Sequence, residues 1–181
     1  MDEAVSRILA YLDAHRDELI EFVRRLIAAN SENRPGDETA VAEVIETRAR
    51  ELGFPTPQIF GKNDKRINLI YRLDGADPNG YHTVLNAHMD TKPAGDPNEW
   101  RYPPFQGTIA DGNLHGLGSV DMKGALGAMV YAFAAIRQLG VKTPGSLGCW
   151  FIADEEAGSI YGAKYLMEER LVTADYVIIG E

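Results

Sequence analysis

Apolar residues at helical spacing dominate the first third of the chain. They recur every three or four positions from residue 5 to residue 27, which predicts an amphipathic helical stretch. The polar segment "NSENRPGDET" (30–39) contains a Pro-Gly pair, which predicts a loop. A second helical pattern covers residues 41–52 and ends at Gly53, a residue type favoured just past a helix end. The chain therefore begins with two predicted helical regions joined by a polar loop.

Short apolar runs rich in β-branched residues alternate with helical patterns through the rest of the chain. Such alternation predicts an α/β protein built around a layered sheet. One long loop, residues 91–120, interrupts the alternation, and loops of this length inside a domain are usually functional. The strands are predicted at residues 57–60, 67–73, 81–87, 146–153 and 175–180, and the helices at residues 122–140 and near residues 160–169.

Composition narrows the class of protein. The 181 residues carry 27 acids against 18 bases, for a net charge of −9, whereas nucleic-acid surfaces need clustered Lys and Arg. The single cysteine, Cys149, permits no intrachain disulfide and no zinc site built from several cysteines. No secretory signal and no apolar run long enough to span a membrane is recognisable. We therefore expect a cytoplasmic α/β domain that binds neither nucleic acid nor membrane.

Three predicted strands end at a side chain that can bind a metal. His88 follows the third strand, the acidic residues 154–156 follow the fourth, and Glu181 follows the fifth. Ligands of open α/β sheets bind beyond the carboxyl ends of the strands. Asp121, at the junction of the long loop and the next helix, adds a fourth group. We expect these side chains to meet in one crevice.

One imidazole among several carboxylates suits a divalent cation. The carboxylates would repel one another without a cation between them, and zinc accepts both nitrogen and oxygen ligands. The set is too rich in oxygen for a closed structural zinc site, and it fits a hydrolytic site with two metals and a bridging aspartate. Because a metal-bound histidine usually donates its second ring N–H to a carboxylate, Asp90 is expected to orient His88.

Each of these residues also has a purely structural explanation. His88 alone could be a packing histidine, Asp121 could cap the following helix, and the acids 154–156 could be solvated residues near a helix N-terminus. Glu181 could be exposed because the chain stops there. These explanations must hold at four element ends at once, so we favour the metal site. Residues predicted to serve only packing or the surface are His15, His82, His115, Cys149, Trp150 and, as a surface lysine in the first turn of its helix, Lys123.

Four motifs stand in order along the chain. They are "HMDT" (88–91), "WRYPPFQGTIADGNLHGLGSVDMKG" (100–124), "ADEEAGSIYG" (153–162) and "VIIGE" (177–181). Together they resemble the M20 metallopeptidase family, the group of acetylornithine deacetylase, succinyl-diaminopimelate desuccinylase and glutamate carboxypeptidase. Leu117 stands where family members often have arginine. The resemblance implies a three-layer αβα sandwich with a mostly parallel mixed sheet, like that of the zinc exopeptidases but incomplete.

The resemblance also implies roles for the site residues, those of a co-catalytic dizinc amidohydrolase. Asp121 resembles the carboxylate that bridges the two metals, with His88 and Glu181 completing one metal site. Glu156 resembles a ligand of the metal opposite His88, and Glu155 resembles the general acid/base that activates the attacking water. Two Zn²⁺ ions are expected in the complete enzyme, and the ligand set also tolerates Co²⁺ or Mn²⁺.

Two details accompany these roles. The register of the acidic triplet stays open, because Asp154 and Glu155 could replace Glu155 and Glu156 as the pair of base and ligand. The resemblance further implies a cis peptide bond between Asp121 and Met122, a strained non-proline bond of the kind found at active sites.

The resemblance implies that the chain is one part of a larger enzyme. Family members continue into a lid or dimerisation domain and then return to the catalytic domain, which adds a late histidine ligand. We therefore expect residues 1–181 to be the N-terminal portion of the catalytic domain, without the lid and the C-terminal catalytic segment, and with little activity alone. The complete enzyme is expected to cut an amide bond in a small peptide or N-acyl amino acid, and it could form a homodimer through the missing domain. The alternative is a catalytically inactive fragment, or a metal-binding or interaction domain.

Overall fold

The alternating apolar patterns form a five-stranded sheet with helices on both faces. The computed structural model describes residues 3–181, so the first two residues of the expected domain lie outside the described part. The helices are α1 (Glu3–Ala14), α2 (Arg16–Ala28), α3 (Thr39–Glu51), α4 (Lys123–Gln138) and α5 (Ala163–Glu168), and the strands are β1 (Gln58–Gly61), β2 (Ile67–Leu73), β3 (Thr83–His88), β4 (Thr108–Ala110), β5 (Asn113–His115), β6 (Leu147–Ile152) and β7 (Tyr176–Ile179).

The strand order of the main sheet is β1-β2-β6-β3-β7. β3 pairs in parallel with both β6 and β7, whereas β2 is antiparallel to β1 and to β6. Four of the five strands therefore run in one direction, which confirms the predicted mostly parallel mixed sheet. This order also brings the carboxyl ends of β6, β3 and β7 side by side at one edge of the sheet.

The two faces of the sheet pack against different helices. Cys149 and Phe151 of β6 belong to a large apolar core shared with α2, α3 and α4. Trp150 and Ile152, the alternate residues of the same strand, pack with Leu166 of α5 on the other face. Burying one such large apolar side chain contributes about 1.5–3 kcal/mol. The layers are therefore helix, sheet and helix, as predicted, and the layer formed by α5 is much the thinner.

Two local features differ from the sequence-based expectation. The helical stretch predicted for residues 5–27 is two helices that meet at His15, whose ring stacks on Tyr11 at 4.0 Å and whose Nδ1 bonds the Tyr11 carbonyl. The loop 91–120 contains a hairpin of β4 and β5. Its two connecting residues, Asp111 and Gly112, both have positive φ, and Asp-Gly is a strong hairpin signal that the sequence analysis overlooked.

None of the helices within residues 3–181 is both long enough and apolar enough to cross a membrane.

Candidate metal centre

Three neighbouring strands deliver the predicted ligands to one place. His88 is the last residue of β3 and is 1% exposed. Its Nε2 atom lies 2.9 Å from an Asp121 carboxylate oxygen, 3.7 Å from a Glu181 carboxylate oxygen and 4.0 Å from a Glu155 carboxylate oxygen. Glu155 lies just beyond β6, and Glu181 lies just beyond β7. The carboxyl edge of the sheet thus places one buried imidazole beneath a ring of carboxylates.

The side chains form two overlapping groups that could hold a metal ion. One group is His88, Asp121 and Glu156, and the other is His88, Glu155 and Glu181. In each group, one potential ligand atom per residue lies within 4.8 Å of the others. A nitrogen donor with several carboxylate oxygens is a donor set that Zn²⁺ and related divalent ions accept. The residues present therefore fit a divalent metal. Each of the four predicted ligands belongs to at least one of the two groups.

Asp90 contacts His88 in a way that differs from the expectation. The His88 Nδ1 atom is 2.9 Å from the backbone carbonyl oxygen of Asp90 and 3.5 Å from its carboxylate. The carboxylate instead accepts hydrogen bonds from the backbone N–H groups of Glu155 at 3.0 Å and Glu156 at 3.1 Å. Asp90 therefore links the histidine at the end of β3 to the glutamates that follow β6.

The Asp154 side chain bonds to groups other than the predicted ligands. This side chain is buried, and its carboxylate accepts hydrogen bonds from Asn33 and from the backbone N–H of Tyr161. Among the described residues it belongs to neither group that could hold a metal. This placement favours Glu155 and Glu156 over the alternative register of Asp154 and Glu155.

Glu156 has a cationic neighbour. The ammonium group of Lys92 lies 2.7 Å from a Glu156 carboxylate oxygen and also donates to the Glu156 backbone carbonyl. The Lys92 side chain is mostly exposed, whereas that of Glu156 is nearly buried. An exposed lysine is easily displaced by water or by another cation, since exposed ion pairs are weak.

The carboxylates crowded around His88 shift the pKa values of the site. Burial alone would lower the pKa of the His88 imidazole, but the carboxylates of Asp90 and Asp121 outweigh burial and raise the pKa to about 9. Burial, helped by the charges of Glu181 and Glu156, raises the pKa of the Glu155 carboxyl above its ordinary value. Excess negative charge therefore favours any added cation at this edge of the sheet.

Two structural expectations concern the segment after the long loop: that Asp121 caps α4, and that Lys123 lies at the surface. Asp121 does not cap α4, whose N-cap residue is Met122 with no side-chain cap bond, so the capping explanation is wrong. The Asp121–Met122 peptide is cis, as the resemblance implied. The prediction of a surface lysine at Lys123 is also wrong, because this residue is 1% exposed and its Nζ atom donates to the Ala29 carbonyl at 2.8 Å.

Three polar residues that the sequence analysis did not single out lie directly behind the centre. Asn33 donates to the carboxylates of Asp90 and Asp154, and Arg66 and Glu38 extend the same buried network. Their segments are remote along the chain, and no local pattern marks them. Asn33 belongs to the loop predicted from its Pro-Gly pair, and that was its only visible signal.

The fold and this cluster define an α/β protein whose sheet presents a potential metal site at its carboxyl edge. Residues 84–181, more than half of the chain, match the model of peptidase family M20/M25/M40. The chain therefore belongs to this family, and the resemblance seen in its four motifs is confirmed.

Curated relatives agree with this assignment. The chain is 30% identical over 179 residues to the N-formyl-4-amino-5-aminomethyl-2-methylpyrimidine deformylase of Halalkalibacterium halodurans, covering 98% of this chain and 41% of that enzyme. It is 40% identical over 143 residues to the succinyl-diaminopimelate desuccinylase of Blochmanniella floridana, covering 77% of this chain and 37% of that enzyme. The chain thus spans about two fifths of the length of these relatives.

Solved structures show the same fold. Human carnosine dipeptidase 1 matches 98% of this chain with 41% of its own, at a TM-score of 0.76 and 24% identity. The di-peptidase Dug1p from Saccharomyces cerevisiae matches 99% of this chain with 41% of its own, at a TM-score of 0.80 and 20% identity. At these identities the similarity concerns the fold alone.

Proposed function

We propose that this chain forms the N-terminal portion of the catalytic domain of a metal-dependent hydrolase that cuts an amide bond in a small peptide or N-acyl amino acid. The observation that carries the proposal is the pair of His–carboxylate groups at the ends of three neighbouring strands. Membership of the M20/M25/M40 family supports it. The names of the two relatives, a deformylase and a desuccinylase, point to removal of an acyl group from nitrogen.

The ligand roles follow the resemblance. The distances group the side chains differently, with Glu156 beside His88 and Asp121, and with Glu155 beside His88 and Glu181. In this assignment His88, Asp121 and Glu181 would hold one metal ion, and Asp121 and Glu156 would hold the other. Zn²⁺ is the expected ion, and Co²⁺ and Mn²⁺ suit the same donors. A bound divalent cation supplies positive charge that polarises the amide carbonyl and acidifies a water molecule.

Glu155 is assigned to proton transfer. Its side chain is partly exposed at the centre, so both water and a substrate can reach it. The Glu155 carboxylate accepts a proton from the water that attacks the carbonyl carbon, and it returns that proton to the amide nitrogen as the C–N bond breaks. A raised pKa suits this role, because a group that both accepts and donates works best with a pKa near the operating pH.

His88 and Asp90 hold the arrangement in which this transfer occurs. His88 is fixed by the Asp90 carbonyl on one ring nitrogen, so its other nitrogen faces the carboxylates. The Asp90 carboxylate fixes the backbone of Glu155 and Glu156. The two adjacent glutamates can then project in different directions, one toward the proton and one toward a metal.

The size of the chain supports its assignment as one part of a longer enzyme. It covers 41% and 37% of the two relatives. The edge strand β7 carries four consecutive apolar residues that are each about half exposed, and further protein could cover them. A lid, a homodimer formed through that further protein, and a cytoplasmic location are parts of the same proposal. The alternative is that the 181 residues act as an inactive fragment or a metal-binding domain.

Hydrolysis assays with added metal decide between these functions. We expect the protein that includes the downstream segment to hydrolyse at least one of a panel of N-formyl, N-succinyl and dipeptide substrates, to lose activity with a chelator and to regain it with Zn²⁺, Co²⁺ or Mn²⁺. Residues 1–181 expressed alone should bind metal with little turnover, because the proposed lid, which would keep bulk water from the reaction, would lie outside them. Metal binding without turnover by the longer protein would support the binding-domain alternative, and the absence of both would contradict the metal site.

A further inference from the structure

A chain of buried polar side chains runs from the loop after α2 to the candidate metal centre. Arg66 donates to a Glu38 carboxylate oxygen at 2.6 Å and to the Asn33 side-chain oxygen at 2.9 Å. Asn33 in turn donates to the carboxylates of Asp90 at 2.8 Å and Asp154 at 2.9 Å. All five residues are buried. Buried polar groups are costly unless they are paired, so such a connected set is a specific structural feature.

Asn33 donates to a carboxylate beyond each of the two strand ends of the centre. Asp90 lies two residues beyond the end of β3, and Asp154 lies two residues beyond the end of β6. A side-chain amide offers two N–H donors on its nitrogen and acceptor positions on its oxygen. Because the Arg66 guanidinium can only donate, the Asn33 oxygen must face it, and the amide nitrogen must face the two carboxylates.

The backbone around Asn33 is fixed against the strand that carries the histidine. The Asn33 N–H donates to the Thr91 carbonyl at 2.8 Å, and the Thr91 N–H donates to the Ser31 carbonyl at 3.0 Å. The Ser31 hydroxyl donates to the Met89 carbonyl at 2.7 Å. Residues 31–33 therefore run alongside residues 89–91, and the Asn33 side chain has little freedom to move independently of the site.

The contacts of Asp90 carry this constraint to the predicted ligands. Its carboxylate accepts the Asn33 side-chain N–H at 2.8 Å, and its backbone carbonyl lies 2.9 Å from His88 Nδ1. The same carboxylate receives the backbone N–H groups of Glu155 and Glu156. A displacement of Asp90 would therefore change the distance between His88 and both glutamates.

We propose that Asn33, oriented by Arg66, is a positioning residue that sets the separation between His88 and the turn bearing Glu155 and Glu156. The part of this statement that concerns metal affinity rests on the proposed function. The residue lies outside residues 84–181, the region that matches the family model. The geometry of the centre would thus depend on the N-terminal loop as well as on the motifs.

The decisive variant is Asn33→Asp, compared with Asn68→Asp. Asn33→Asp keeps the shape and the acceptor for Arg66, but it replaces two donated hydrogen bonds with repulsion from two carboxylates. Asn68 is also fully buried, donates to the carbonyls of Phe60 and Tyr161, and accepts from the Ala153 N–H. Asn68→Asp removes the same number of donors without contacting Asp90 or Asp154, so it reports the cost of adding a buried carboxylate near the same end of β6.

Three measurements are made on folded protein. They are the Zn²⁺ affinity by competition with a chromogenic chelator, the visible spectrum of the Co²⁺-loaded protein, and amide hydrogen exchange at Glu155 and Glu156. For Asn33→Asp we expect Zn²⁺ affinity to fall by about tenfold, the lower end of the range for a direct partner of a metal ligand, because Asn33 acts through Asp90. The Co²⁺ spectrum should change and both amides should exchange faster. Asn68→Asp should match the parent in all three.

The outcomes separate this proposal from the proposed function. If the parent binds no metal, the proposed function fails, and the exchange of the two amides alone decides whether Asn33 positions the turn. Parent-like affinity and exchange in Asn33→Asp would overturn the proposal, and so would equal changes in Asn68→Asp. If Asn33→Asp does not fold, Asn33→Ala removes both donors without adding charge and is judged by the same criteria, with a smaller expected effect.

Discussion

Two buried histidines stand six residues apart, one just before β3 and one at its end, and they have opposite surroundings. His82 hydrogen-bonds to the Ser146 hydroxyl through Nδ1 at 2.8 Å, and burial lowers the pKa of its imidazole. His88 is more deeply buried, at 1% exposure against 9% for His82, yet the carboxylates around it outweigh burial and raise its pKa to about 9. Burial alone therefore does not distinguish a packing histidine from a candidate ligand.

The difference lies in which end of the sheet each histidine occupies. At the amino end, polar groups satisfy one another, since Asp175 accepts the backbone N–H of His82. At the carboxyl end, three strands and the segment before α4 bring Asp121, Glu155, Glu156 and Glu181 to the same place. Convergence of several carboxylates on one imidazole is what predicts a metal centre at this end only.

The largest expected effects come from substituting the two adjacent glutamates at the carboxyl end one at a time. In the protein that includes the downstream segment, Glu155→Gln should lower kcat by about 10²–10⁴-fold, because the amide cannot accept a proton, and metal content should stay intact. Glu156→Gln should instead lower metal occupancy. Kinetics and metal analysis on both variants check this, and loss of metal in Glu155→Gln with full activity in Glu156→Gln would reverse the two roles.

The two histidines can be compared directly by metal affinity. His88→Gln should weaken Zn²⁺ binding by more than the roughly 10–100-fold expected for an outer partner, because it removes the proposed nitrogen ligand. His82→Gln should leave Zn²⁺ affinity unchanged and serves as the matched control. Calorimetric titration of both variants measures the effect, and equal losses would mean that the contrast between the two ends is not a metal-binding contrast.

The histidine at the amino end, His82, is tested by the pH dependence of stability. Because the pKa of His82 is lowered below 6.5, the folded state binds its proton less tightly than the unfolded state. Its contribution is therefore fully present above pH 6.5 and is lost as the pH falls through the folded pKa. Urea unfolding of parent and His82→Gln at pH 8 and pH 5 should show that the substitution shifts the difference in stability between the two pH values in favour of pH 5. An unchanged difference in the variant would assign the pH dependence to other groups.

The smallest expected effect concerns the lysine beside Glu156. Lys92→Gln removes an ion pair whose lysine is mostly exposed, and such pairs contribute little. Zn²⁺ affinity should change by less than about fivefold, in the direction of tighter binding, because a competing cation is removed. Lys164→Gln, which removes an exposed pair with Glu168 on α5, is the control. A tenfold loss of affinity would instead make Lys92 a support for Glu156.

The sequence was informative wherever an element end coincided with a chemically distinctive residue. The strand before His88, the acids after β6 and the position of Glu181 followed from apolar patterns, and the rule for carboxyl ends then brought them together. The cis bond at Asp121 came from the resemblance and is present. These features depend on short segments whose direction in the sheet fixes their meeting point.

The remaining features depend on contacts between distant segments. Lys123 was expected at the surface, but its amine reaches the carbonyl of Ala29, and burial lowers its pKa to about 7. Asn33 bonds Asp154 across 121 positions of sequence. The local pattern around each residue is that of an ordinary first helical turn or loop, so no periodicity or spacing could reveal these partners.

Anomalous diffraction at the zinc edge, on crystals of the chain grown with Zn²⁺, tests the central claim most directly. We expect anomalous peaks next to His88 Nε2, among the carboxylates of Asp121, Glu156 and Glu181, and none beside His82. The His88→Gln variant should lose the peak nearest to the substituted side chain. Well-ordered crystals that show no peak at the carboxyl end, or that show equal peaks at both ends of β3, would contradict a metal centre built by convergence of the strand ends.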